Sequence, residues 1–135
     1  MGAWYSIGIL VGLGTAIGVA TVAALARTLP ALVVAGAIAA VVGFLVFGWG
    51  EAVGGVVGAA CGTLGAGPIV TGALRRGGTR GGTAVLLGLV ALVGAALAFV
   101  PVLGYLEALA VPQLGARLRR RSPDRHAGLR VLSRD

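Results

Sequence analysis

The sequence predicts an all-α integral membrane protein: a compact bundle of about five membrane segments, two helical hairpins plus a short or re-entrant C-terminal segment, held by glycine-zipper packing. Two observations carry this. The first is where charge is absent. The chain is 58% hydrophobic, and residues 1–26, 28–50, 52–74, 81–106 and 108–116 contain no Asp, Glu, Lys or Arg. A spanning helix takes about 20 mainly apolar residues, so the first three of these runs each reach transmembrane length. The second is the spacing of small residues. In GWGEAVGGVVGAACGTLG, residues 48–65, glycine recurs every fourth position at Gly50, Gly54, Gly58 and Gly62.

Segment one runs from about Trp4 to Ala26 and is expected to close at Arg27-Thr28-Leu29-Pro30, where a charge and a proline make a short turn. Ala24-Leu25-Ala26 has the A-x-A form of a signal-peptide cleavage site. The stretch lacks a charged leading region and is long enough to span, so it is expected to be a retained helix. Segment two follows from about Ala31 to Trp49. A single helix over residues 31–74 would be about 65 Å long, twice the hydrocarbon thickness, so the chain must reverse near Gly48-Trp49-Gly50-Glu51. Segment three, about Glu51 to Leu74, ends at a doubled RGGT, residues 76–83, which is expected to be a flexible polar connection. Residues 83–116 are interrupted by Pro101, Glu107 and Pro112. They form either one span with a surface extension or two short spans turning at Pro101.

Charge asymmetry discriminates between these. Cytoplasmic flanks of spans collect Arg and Lys. All basic residues here are Arg: Arg27, three in residues 75–80, and seven from Arg117 to Arg134. Four spans would put the long Arg tail opposite the other arginines. A fifth segment over about Val102 to Ala116 puts all eleven on one side. The favoured organisation is therefore a transmembrane bundle over residues 1–116 and an Arg-rich cytoplasmic tail over 117–135, with the N-terminus out, the C-terminus in, and the chain in an inner, cytoplasmic membrane. The Ala/Gly/Leu/Arg bias without Lys suits a GC-rich bacterial genome.

In lipid, apolar burial gives helices no drive to associate; close van der Waals contact and interhelical hydrogen bonds do, which favours small-x-x-x-small spacing. Besides the row on segment three, segment one carries Gly8, Gly12, Ala16 and Ala20, and a second track at Gly14 and Gly18. Segment two has Ala35, Ala39 and Gly43, and segment four has Gly94 and Ala98. These rows serve either compact packing within one subunit or, for the longest track, a subunit interface; a protomer this small has little room for an internal pathway, so a homo-oligomer or a partner membrane protein is expected.

Glu107 is the first candidate for chemistry. A carboxylate at bilayer depth costs roughly 2.5–3.5 kcal/mol on insertion scales and usually faces a cavity or a partner. Pro112 has no N–H to give the carbonyl of Ala108, beside Glu107. With Tyr105 and Gln113 as nearby polar groups, this makes a candidate proton or cation site. The alternative is that segment five lies on the membrane surface and Glu107 points to water. A second candidate is Gly65-Ala66-Gly67-Pro68, where Pro68 frees the carbonyl of Leu64 and Thr63 and Thr71 offer hydroxyls. It is either an unwound helix of the kind transporters use or a simple kink. Glu51 is expected to cap the polar turn, or to line an outer mouth. Arg117, Arg119, Arg120 and Arg121 form a cytoplasmic stop signal and a site for anionic lipid, each Arg adding about 1 kcal/mol near a charged leaflet. Ser122-Pro123-Asp124 ends or turns the helix, and Ala127 to Leu132 suits a short amphipathic surface stretch.

Other chemistry is not expected. The basic residues behind the net charge of +7 lie between and after the apolar spans without interleaved aromatics, which argues against nucleic acid. The single Cys61 permits no internal disulfide and suits a packing position, no metal set is spaced for coordination, and no cofactor is implied. Gly12-x-Gly14-x-x-x-Gly18 has the wrong spacing for a dinucleotide fingerprint, and without Lys there is no Walker loop. His126 stands alone in the tail, and no enzyme is expected.

Segment one with its glycine track and Gly104-Tyr105-Leu106-Glu107-Ala108-Leu109-Ala110 resemble the proton-carrying ring subunit of rotary ATP synthases, a hairpin with a glycine-rich first helix and a carboxylate in the second. The resemblance covers a minor part of the chain. The family's polar loop is missing and further segments intervene, so it implies shared physics and no family membership. Two functions follow as expectations: a small oligomeric channel or transporter for protons or small cations, or a non-transporting scaffold or accessory subunit that docks a partner membrane protein and holds anionic lipid. In a Cys61→Ala background, Thr79→Cys and Ser122→Cys are both expected to react from the cytoplasmic side with a membrane-impermeant thiol reagent, compared in intact cells and inverted vesicles. Reaction from opposite sides would mean four spans.

Overall fold

The computed structural model describes residues 2–121 and is all-helical, with no strand among those residues. The helices are α1 (Ala3–Leu25), α2 (Thr28–Val46), α3 (Trp49–Arg75), α4 (Arg80–Leu97) and α5 (Pro101–Arg121). The first four are long and apolar enough to cross a membrane. Ser122 to Asp124, His126 and the stretch from Ala127 to Leu132 lie outside the described residues.

Each turn follows from local chemistry. Between α1 and α2, Ala26 takes a left-handed conformation (φ 53°) and returns its N–H to Val22 O at 2.9 Å. Pro30 does not close this turn; it sits inside the first turn of α2, where backbone N–H groups have no intrahelical partner and a missing one costs little. Between α2 and α3, Gly48 adopts φ 134°, ψ −168°, a region essentially restricted to glycine, and Phe47 and Gly48 both donate to Gly43 O at 3.0 Å.

The RGGT stretch is a closed structure and not a loose tether. Gly77 (φ 85°) and Gly78 donate to Leu74 O and Ala73 O at 3.2 and 3.0 Å, a Schellman pattern that ends α3. One residue later Thr79 caps α4, its Oγ1 accepting from the Gly82 N–H at 3.1 Å. Residues 98–100 separate α4 from α5, and Pro101 begins α5, a position where its fixed φ suits a helix start. Residues 83–116 are thus two helices. The second runs on to Arg121, so basic residues occupy its last turn, where they complement the helix dipole.

Packing fixes the directions. On α1 and α3, Val11 lies against Gly58 and Thr15 against Gly62, so these helices run the same way. Gly43 meets Ala52 and Gly55 meets Ala39, so α2 runs opposite to α3. Gly104 lies against Gly8 and Gly12, and Gly115 against Gly65, so α5 runs with α1 and α3. Gly12 also meets Ala98, and Ala91 clusters with Ala16 and Val19, so α4 runs back along α1. In consequence Arg27, Arg75, Arg80 and Arg117 share one end of the molecule, and Trp4, Glu51 and the α4–α5 turn share the other.

The interior is small. Buried positions are mainly Ala, Gly, Val and Thr, and α1 packs on all four other helices. Large apolar side chains point outward: Leu29, Phe44, Leu45 and Phe47 on α2 and its end, Leu86, Leu89 and Leu92 on α4. A soluble core would invert this order; an apolar solvent does not, since Leu costs nothing against lipid tails.

Between α1 and α3 the backbones touch. A Cβ added at Gly58 would strike the Val11 carbonyl, with Val11 C at 2.8 Å and Thr15 N at 3.0 Å. One at Gly14 would strike Gly55 O, and one at Gly18 would strike Ala59 O. Since these are backbone atoms on rigid helices, Gly58→Ala is expected to destabilise the bundle by about 1–3 kcal/mol. At Gly36 a Cβ would meet nothing within 4 Å, so Gly36→Ala should cost nothing. Unfolding midpoints in a common detergent compare the two.

Candidate functional site

α5 carries Glu107 between two contacts, Gly104 against Gly8 and Gly12 of α1, and Gly115 against Gly65 of α3. The first contact lies toward the tryptophan end of the bundle and the second toward the arginine end, so Glu107 stands near mid-height. Its side chain is half-buried and reaches toward α4, where a Cβ at Gly94 would lie 3.6 and 3.7 Å from the two carboxylate oxygens. A methyl at position 94 would touch the carboxylate at ordinary van der Waals distance, so Gly94 marks the neighbour of Glu107 on α4 and is not required to make space for it. Among the described residues Glu107 has neither an ion-pair nor a hydrogen-bond partner, and α4 and α5 touch only slightly beside it.

The polar groups nearest in sequence are not gathered around it. Tyr105 is two residues away and so on nearly the opposite bearing of the helix. Its hydroxyl donates to the Trp4 carbonyl of α1 at 2.9 Å. Gln113 is exposed on a different face. α5 continues as helix through Pro112, so the Ala108 carbonyl stays in the helix wall without an N–H from that residue.

The Gly65–Pro68 stretch also remains helical, since α3 is continuous from Trp49 to Arg75. α5 covers it: a Cβ at Gly65 would meet Val111 C and Cγ1 at 2.6 Å. The proline-containing turns of α3 and α5 thus press on one another. Of the side chains around this stretch, Thr63 is fully buried and donates to Gly18 O of α1 at 3.4 Å, Thr71 donates to Gly67 O of its own helix at 2.9 Å, and Leu64 faces outward. The structure does not bring Thr63, Leu64 and Thr71 to Glu107.

The glycine rows separate by neighbour. Gly54, Gly58 and Gly62 face α1, whereas Gly50 is exposed and would meet only Ile7, at 3.7 Å. Gly8 and Gly12 face α5 and the end of α4; Gly14 and Gly18 face α3. Arg117, Arg119 and Arg120 are exposed, and α5 carries them and Arg121 as helix.

Two contacts join residues far apart in sequence at the end opposite the arginines. Ser6 Oγ donates to Glu51 Oε1 at 2.6 Å, and Glu51 lies in the first turn of α3, where the helix dipole favours a carboxylate. Ser6 carries no motif that would have exposed this role; its one sequence cue is a hydroxyl near the start of a span. Nearby, Trp49 meets Phe44 edge to face at 4.9 Å, and an open groove lined by Ala40, Val41, Phe44, Trp49 and Ala52 offers only apolar walls. Among the described residues no three His, Cys, Asp or Glu side chains come together as a metal set.

Fold and site together define a small helical protein with membrane-length helices and a solitary carboxylate at mid-height. No family model, curated protein or solved structure matches the chain. Tyr105→Phe removes a side-chain hydrogen bond between α5 and α1 and is expected to lower stability by about 0.5–1.5 kcal/mol, read as a lower unfolding midpoint in detergent with helicity unchanged.

Proposed function

We propose that this is a small multi-pass bacterial inner-membrane protein that passes protons or small cations, with Glu107 as the binding group. In this reading α5 crosses as a fifth segment, glycine-zipper packing closes the bundle, the N-terminus is outside and the arginine end is cytoplasmic. The observation that carries it is the position of Glu107: mid-height, half-buried, beside Gly94, and without a partner among the described residues. A charged carboxylate at that depth is unfavourable, so it binds a proton or cation readily and releases it only where water or a dipole reaches it. The arrangement suits a homo-oligomer, in which a neighbouring copy packed beside Glu107, where α4 and α5 touch only slightly, supplies the second wall of a pathway.

A specific observation favours the scaffold reading as the alternative. Gly36 and Ala40, one turn apart, share a half-buried face of α2 with Leu32, and a Cβ at Gly36 would meet nothing in this chain. Two small residues at that spacing let another helix approach closely.

Reconstituted liposomes decide between the two. Proton or sodium flux is expected from the wild-type chain, is lost in Glu107→Gln, and survives in Glu51→Gln. Absence of flux together with co-purification of another membrane protein would establish the scaffold instead.

A further inference from the structure

The described residues contain two carboxylates, Glu51 and Glu107, and both lie away from the end where the arginines gather. At that end the α3–α4 turn presents Arg75, Arg76 and Arg80, all exposed. The Schellman and Thr79 caps hold this turn in one backbone conformation, so the three arginine side chains start from fixed backbone positions. In the last turns of α5, Arg117 and Arg120, spaced three apart, share a helix face that turns away from the Gly115 contact with α3. None of these five groups has an ion-pair or hydrogen-bond partner among the described residues.

Their heights differ. Gly65 and Gly115 touch, so Arg117 lies about 3 Å beyond that level along α5, and Arg75 about 15 Å beyond it along α3. The polar layer on each side of a bilayer's hydrocarbon is roughly 5–8 Å deep. The arginine backbones are therefore spread over about 12 Å along the bundle axis, a range that the long Arg side chains, which extend towards the charged layer, bring to a common phosphate depth.

We propose that this end of the molecule is a binding surface for anionic phospholipid headgroups, gripped through their phosphates by Arg75, Arg76 and Arg80 of the α3–α4 turn and Arg117 and Arg120 of α5. The surface rests on the membrane placement proposed above and is independent of Glu107. A topology signal needs only positive charge during insertion. A binding surface continues to select lipid in the finished protein, and the planar guanidinium forks, which pair two N–H groups with two phosphate oxygens, supply that selection.

The test uses the full chain purified in a neutral detergent, so insertion no longer contributes. Native mass spectrometry with equal amounts of phosphatidylglycerol and phosphatidylcholine is expected to show several-fold more phosphatidylglycerol adducts. Combining Arg75→Gln, Arg76→Gln, Arg80→Gln and Arg117→Gln should bring the ratio close to one with circular dichroism unchanged, and the matching four Lys substitutions should give an intermediate ratio. Inorganic phosphate should lower the preference no more than sodium chloride of the same ionic strength. Equal retention of the two lipids by the wild-type chain overturns the proposal, whatever the variants do. So does a preference undiminished in the folded Gln variant, and so does selective stripping by inorganic phosphate, which would mark a site for the free ion.

Discussion

The contact on which this structure depends is the meeting of two backbones, α1 against α3, where Gly14 and Gly18 receive one helix and Gly58 and Gly62 receive the other. Side chains there would hold the axes apart. With glycine on both sides, the carbonyls of Val11 and Thr15 lie against α3, and those of Gly55 and Ala59 against α1. Many weak dispersion contacts, each about 0.1–0.2 kcal/mol, then accumulate over several turns. Thr63 adds a hydroxyl to the Gly18 carbonyl within the same seam. The helices running opposite, α2 and α4, lean on this pair, and α5 closes over both members through Gly104 and Gly115.

That seam determines what remains outside. Because the interior is mainly Ala, Gly, Val and Thr, with Leu10 as a larger buried side chain, the bulk of the Leu and Phe face outward, most fully on α2 and α4. The same parity of helix directions collects the described arginines at one end and Trp4, Trp49 and Glu51 at the other. Glu107 is then the ionisable exception in a middle of apolar residues and hydrogen-bonded threonines, which is why it stands out as the candidate group for chemistry.

How much of this the sequence discloses varies with the physics involved. Membrane-length helices are legible because hydrocarbon thickness imposes a length and excludes charge, and α1 to α4 correspond to runs without charge. Turns are legible only where residue type dictates geometry. Gly48 marks a reversal, whereas Pro30 misleads, because a proline is tolerated in a first turn. Gly77 and Thr79 carry the cap signals, one ending α3 and the other starting α4, so the second RGGT is already helix although its polarity reads as a tether. Spacing announces that a glycine row meets a backbone without naming which one: Gly8 and Gly12, with the same fourfold spacing as the α3 row, meet α5, and Gly14 and Gly18 meet α3. Rotation about a helix axis depends on every neighbour at once. The Ser6–Glu51 and Tyr105–Trp4 bonds were not legible, since they join positions 45 and 101 residues apart.

The glycine content of α3 also bears on how the protein enters a membrane. Glycine contributes nothing to partitioning into lipid, and α3 is the least apolar of the four membrane-length helices. α2, the most apolar, precedes it across a turn of two residues, Phe47 and Gly48. A helix that inserts weakly alone can enter as the second limb of a hairpin whose first limb partitions strongly, and the Gly48 turn makes that hairpin short enough to form at the point of insertion. In a membrane, the residues that let α3 pack so closely would leave it the weakest of the four helices to partition, with α2 as the limb that favours its entry and α1 as the surface it meets.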